Sequence, residues 1–292
     1  MLLCRVEDTI LESMAVFRRR GATVAATAAI TLLCASAGLA QRIWYGGYGY
    51  TPPRFPTKHT FQGSFNFCRA MFESNRREKR GWSTDYPGAD LNFSTRLAEL
   101  TKAPVTMRPD AEEGEAPDAV VVRLTDEALF KCPYILMEDA GTADFTGEEA
   151  TRLGEYLQKG GFLFVSDYWG EWAREQFDEQ IRIALPAAHY PMVDLPLTHA
   201  LWHTWFDLKK IPQMPSIQSW RRTGGNTDRG VDDPPSARGI TDDNGRLMVV
   251  MMHNTDIPDG WEREGEDPEY FYSFSPDAYA VGINIVLYAM TH

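Results

Sequence analysis

The chain has 292 residues, 43% of them hydrophobic, and a formal net charge of −12 at pH 7. That is enough for one large domain or two small ones around a packed core. The acidic balance argues against nucleic acid as a partner, because phosphate backbones demand a basic face.

The first forty residues read as an address. Arg18-Arg19-Arg20 precedes an uncharged stretch from Gly21 to Ala40, rich in Ala, Thr and Leu. Two small-residue exits follow, Ala35-Ser36-Ala37 and Gly38-Leu39-Ala40. This is the pattern of a secretory signal over residues 1–40, so the expectation is an exported protein, periplasmic or extracellular. An uncleaved N-terminal membrane anchor is the alternative, since the stretch is long enough to span. Glu7, Asp8 and Glu12 are foreign to a signal's first region, which makes Met14 a better start. Cys4 and Cys34 fall in the leader, leaving Cys68 and Cys132. In an oxidising compartment these two form a disulfide; otherwise they are two buried thiols, and spacing does not decide between them.

Residues 41–62, with Trp44-Tyr45-Gly46-Gly47-Tyr48-Gly49-Tyr50 and Pro52-Pro53, have no helical or strand period and read as a linker. A single α/β domain over 63–292 follows. Ser64 to Phe72 is the first strand. Trp82 to Asp90 is a loop, with Asp90 placed to cap the next helix. Phe93, Leu97 and Leu100 form the inner face of that helix, and Pro104 stops it. Val105 to Met107 and Ala119 to Arg123 are short strands, separated by an acidic excursion at 109–118. Pro133 to Met137 is a buried strand ending at Glu138-Asp139. Thr146 and Glu149 predict a capping box, and Ala150, Leu153 and Leu157 an inward stripe. Gly160 closes the helix.

Gly161 to Val165 is a short unbroken apolar run, which predicts a strand buried on both faces of a parallel sheet. It ends at Ser166-Asp167. Ala173, Phe177, Ile181 and Ala184 mark the next helix. Residues 186–239 are Pro-rich and irregular. Asp243-Asn244-Gly245 predicts a turn into a strand from Arg246 to Met252, ending at His253-Asn254-Thr255-Asp256. Ser275-Pro276 predicts the start of a last, buried helix. The alternation predicts a three-layer α/β fold, mostly parallel, with helices on both faces.

In such a sheet, ligands sit at the carboxyl ends of the strands. Asp85, Asp90, Glu138, Asp139, Ser166 and Asn254 are the candidate ligand-binding residues there, and Asp167, His253 and Asp256 the candidate catalytic ones. Such a cluster can serve as acid and base, or hold a hard divalent cation. No motif demands a cofactor. Asp and Asn also favour caps and turns for their own sake. His199 and His203 lie four apart without the following Glu of a zinc protease, so capping roles are expected. Asn284, the strong polar residue of the last helix, is expected to satisfy backbone groups. GxGxxG, GxxxxGK and GxSxG are all absent from the sequence, which removes support for a nucleotide fold or a serine hydrolase.

The ordered set Trp82-x-x-Asp85-Tyr86-Pro87-x-x-Asp90, Gly160-Gly161-Phe162-Leu163, the His199 turn and Gly282-Ile283-Asn284 resembles an exported bacterial family, the domain of unknown function numbered four-one-five-nine. The resemblance covers about residues 63–292. It implies kinship with the flavodoxin-like, class I glutamine amidotransferase-like fold. It does not carry glutaminase chemistry, because the central strand turns at Ser166-Asp167-Tyr168 where the amidotransferases have Cys. Ser166 replaces the first of two acids common in the family, and Ala200 replaces a Pro.

The expectation is an exported domain binding a small polar or carbohydrate-like ligand, or an envelope protein, at the strand C-terminal edge. Its membrane contact would come only through the export signal. The alternatives are a hydrolase using the carboxylate/His cluster, metal-assisted or not, and an envelope scaffold.

Overall fold

The computed structural model describes residues 51–76, 81–108 and 116–292. The segment read as an export signal, the aromatic start of the stretch read as a linker and residues 109–115 of the acidic excursion lie outside the described residues. A compact unit runs from Pro53 to His292. Residues expected to be linker belong to it: Arg54 donates from its backbone to the Tyr86 hydroxyl and from Nε to Asp118, and its carbonyl accepts from Val121.

Among the described residues, seven strands and six α-helices follow in chain order. They are β1 (Cys68–Met71), α1 (Gly88–Thr101), β2 (Val120–Arg123), β3 (Ile135–Met137), α2 (Gly147–Gln158), β4 (Leu163–Val165) and α3 (Gly170–Ala184). After these come β5 (Met192–Asp194), α4 (Ile217–Thr223), β6 (Ser236–Thr241), β7 (Leu247–His253), α5 (Asp259–Glu262) and α6 (Pro268–Thr291). One sheet takes the order β2-β1-β3-β4-β7-β6-β5. The first five strands in that order are parallel; β6 and β5 extend the sheet antiparallel.

The two-residue period of a strand explains the layers. Ile135, Met137, Leu163, Val165, Val249 and Met251 join one core with Leu153 and Leu157 of α2 and Phe177 and Ile181 of α3. Leu136, Phe164 and Val250 point the other way, into a core with Phe93 and Leu97 of α1 and Val281 and Ile285 of α6. Helices therefore cover both faces, giving the expected three-layer α/β fold. Both faces being covered is why the β4 run is apolar without alternation.

The capping box is present: Thr146 accepts from the Glu149 backbone, and Glu149 accepts from the Thr146 backbone. Cys68 and Cys132 are joined as a disulfide with Cα atoms 6.1 Å apart. Four readings change. Asp90 lies in the first turn of α1, not at its cap, because Arg69 claims its carboxylate. Leu100 is exposed; the buried stripe is Ala89, Phe93 and Leu97. The last helix starts at Pro268, two turns before Ser275. Asp267 caps it by accepting from the backbones of Glu269 and Tyr270, and the helix runs on through Pro276. Residues 186–239 hold β5, α4 and most of β6, which pairs with β7 across the predicted Asp243-Asn244-Gly245 turn, closed by hydrogen bonds between Asp242 and both Gly245 and Arg246. β6 was illegible because Gly239 interrupts its pattern; a side chain there would meet Leu247 and Leu195.

Candidate functional site

The three strands expected to deliver polar groups, β3, β4 and β7, are neighbours and parallel. Their ends share a backbone device. Asp139, Asp167 and Asn254, each just past its strand, have φ of 50°, 51° and 56°, and Asp85 in the facing loop has φ of 58°. Asp and Asn are the non-glycine residues that tolerate this left-handed conformation. It turns the chain sharply at the rim and lets the preceding strand residue stay in the sheet.

Arg69, in the middle of β1 and fully buried, organises the floor. Its Nε donates to both Asp90 oxygens at 3.1 and 3.0 Å, and its Nη1 donates to the Thr84 carbonyl at 2.8 Å and to Glu138. Asp90 is thus the counter-ion of Arg69 rather than part of an open rim. Arg229, from the loop before β6, donates to both Asp167 oxygens at 3.0 and 2.9 Å and to Asp139 at 3.4 Å. Arg76 also pairs with Asp139.

Carboxylates crowd between these cations. Asp85, Glu138 and Asp256 each offer an oxygen within 4.8 Å of the others; so do Asp85, Asp259 and Glu262. Desolvation raises all of them. Burial pushes the Asp85, Glu138 and Asp256 carboxyls well above the usual carboxylate range, against the pull of Arg69 on Asp85 and Glu138. Asp167 is pushed up to about 7 by burial, with Arg229 opposing and Asp139 and Asp228 adding. Burial likewise takes Asp259 to about 7 and Glu262 to about 8. Burial and crowding of this kind favour the protonated forms, and an arriving cation or donor favours the ionised ones.

Other candidate residues point elsewhere. His253 donates from Nε2 to the Gly170 carbonyl at 3.0 Å and packs on Tyr168, outside both acidic groupings. Burial lowers its pKa, so it is neutral. Asn254 accepts from the Gly170 backbone and donates to the Pro234 carbonyl. Ser166 donates to the Thr255 carbonyl and accepts from the Ile257 backbone. These residues hold the rim in place. His199 caps a 3-10 turn by accepting from the Leu201 backbone, and His203 donates to the Leu197 carbonyl. Asn284 accepts from the Trp205 and Phe206 backbones and donates to the Phe206 carbonyl.

Sequence reasoning missed Arg69, Arg229, Asp259 and Glu262. A lone Arg inside the apolar run Phe67–Met71 was a usable signal, since a buried charge must be paired. Asp259 and Glu262 lie in the acidic segment between Asp256 and Ser275, which carries no site motif.

The same edge carries a cleft of about 290 Å³ over the ends of β1 and β2, lined in part by Phe72, Glu73, Trp82, Arg123 and Glu149. Among the described residues no helix is long and apolar enough to cross a membrane. No curated protein matches the chain. A family described as a domain of unknown function (DUF4159) matches residues 71–290, from the end of β1 almost to the end of α6, so all the acidic groups just described lie within the match. The chain belongs to the DUF4159 family.

Proposed function

We propose that the protein is an exported domain that binds a small, carbohydrate-like polar ligand at the carboxyl edge of its parallel strands, without glutaminase activity. The carrying observation is the cleft over β1 and β2. Its volume suits a ligand of roughly monosaccharide size. Glu73 and Arg123 line it with a carboxylate and a guanidinium suited to hydroxyls, while Phe72 and Trp82 supply apolar wall; Glu149 is spent on the α2 capping box and the Glu73 backbone.

The Cys68–Cys132 bridge supports export, because such bridges persist in oxidising compartments. It also consumes both cysteines of the described residues, leaving neither as an amidotransferase nucleophile. The parallel order β2-β1-β3-β4-β7 supports kinship with flavodoxin-like folds, whose order is the same with the fifth parallel strand last. A hydrolase reading needs a base beside Asp167, and His253 is committed to Gly170.

Thermal-shift screening in chelator-containing buffer tests the reading, with monosaccharides, sugar acids and amino sugars as probes. One class is expected to raise the melting temperature, and Glu73→Gln with Arg123→Ala to remove that rise. A panel without effect, or a shift indifferent to both substitutions, refutes the cleft as a ligand site.

A further inference from the structure

We propose that Asp85, Glu138 and Asp256 bind a hard divalent cation of the Mg²⁺, Mn²⁺ or Ca²⁺ class. The site lies on the same edge as the ligand cleft but uses none of the cleft residues, so either reading can fail alone.

Three observations carry it. The first is geometry. Oxygens sharing one cation at 2.0–2.6 Å lie at most roughly 5 Å apart, and these three carboxylates offer oxygens within 4.8 Å of one another. They arrive from three separate segments: the loop before α1, the end of β3, and the turn after β7. A set assembled from three places is not the by-product of one acidic loop.

The second is orphaned acceptors. Glu138 is completely buried, yet its Oε1 meets no donor; Asp85 Oδ2 is sealed from solvent and meets none either. Buried acceptors without partners are rare and costly, and a cation satisfies several at once.

The third separates this grouping from its neighbour. Asp259 accepts from the Ile217 backbone at 2.7 Å and from the Tyr270 hydroxyl at 2.9 Å, and Arg263 lies 2.5 Å from Glu262. That second grouping already has a protein cation in Arg263 and, at Asp259, two donors. Around Glu138 the counter-ion is Arg69, which is also spent on Asp90 and two carbonyls. Asp256 accepts from the Asp259 backbone through Oδ1. The three carboxyls share only part of the Arg69 guanidinium by direct hydrogen bond, which leaves acceptor oxygens that an arriving cation would pair. All donors are oxygen, which selects hard cations over soft ones.

The test is isothermal titration calorimetry of the chelator-stripped full chain with MgCl₂, CaCl₂ and MnCl₂, alongside Mn²⁺ electron paramagnetic resonance. One saturable site at or below millimolar concentration is expected. Glu138→Gln and Asp256→Asn are expected to weaken it roughly tenfold or more, whereas Glu127→Gln, a distant surface change, leaves it intact. Circular dichroism shows whether the buried variants fold. Should either fail, Asp85→Asn on the loop gives the same readout. Absence of saturable binding, or equal binding in wild type and folded variants, overturns the site.

Discussion

Arg69 is the residue on which the floor of the site depends. Its guanidinium lies inside a strand with no solvent contact, between Asp90 and Glu138. Removing one partner of a buried ionic group leaves the others uncompensated, which costs about 3–5 kcal/mol. Arg69→Met is therefore expected to lower the unfolding free energy read from urea titration by that amount, with a lower midpoint, or to prevent folding. A variant with an unchanged midpoint would show that the two acids are neutral and the arginine dispensable. Asp139, Asp167 and Asn254 act differently: their left-handed backbones bend the chain at the rim. Aspartate and asparagine at these places are legible as turn residues, and that is how the sequence presents them. Their second use, facing a common edge, depends on which strands are neighbours.

At the scale of elements, α6 shows how packing overrides local grammar. Ser275-Pro276 has the grammar of a helix start, but Asp267-Pro268 has it too, one cap earlier. The helix extends through Pro276 because Tyr270 and Ser275 are buried against the rest of the domain. Its contact with α5 runs through Gly282. A side chain there would meet the Trp261 and Phe93 rings, which lie 4.5 Å apart by centroid. Gly282→Ala is expected to destabilise the protein by about 1–3 kcal/mol through overpacking, despite the better helix propensity of alanine. Chemical denaturation monitored by Trp fluorescence reads this directly; a gain in stability would mean that the two rings can move apart. β6 was invisible for the complementary reason. Gly239 and the charged Arg238 disguise a strand whose place is set by pairing with β7.

For the whole molecule, the crowding of carboxylates has a consequence for pH. Asp167 rises from 3.8 to about 7 on folding. Between those values the folded state holds a proton that the unfolded state has lost. Stability is then greatest at the acidic end of that window and falls as pH rises through about 7. Asp85, Glu138, Asp256, Asp259 and Glu262 shift the same way, with Arg69, Arg76, Arg229 and Arg263 opposing. His253, lowered from 6.5 by burial, works against them below about that pH. The expected urea midpoint in chelating buffer declines from pH 5 to pH 8, and Asp167→Asn makes the decline shallower. A midpoint that climbs over the same interval would mean that the rim is ionised in the folded protein.

Much of the architecture was legible in residue patterns. Short apolar runs ending in carboxylates mark strands buried on both faces, and the capping box and inward stripe mark α2, because period and capping are local physics. The number of layers followed from the alternation of strand and helix. Which acids meet was decided by tertiary structure alone. Strand order sets β3 between β1 and β4, and this brings Arg69 to Glu138 and Asp256 to Asp85. Contacts between residues far apart in sequence have no local signature, so the acidic centre and its guanidinium appear only when the sheet is assembled.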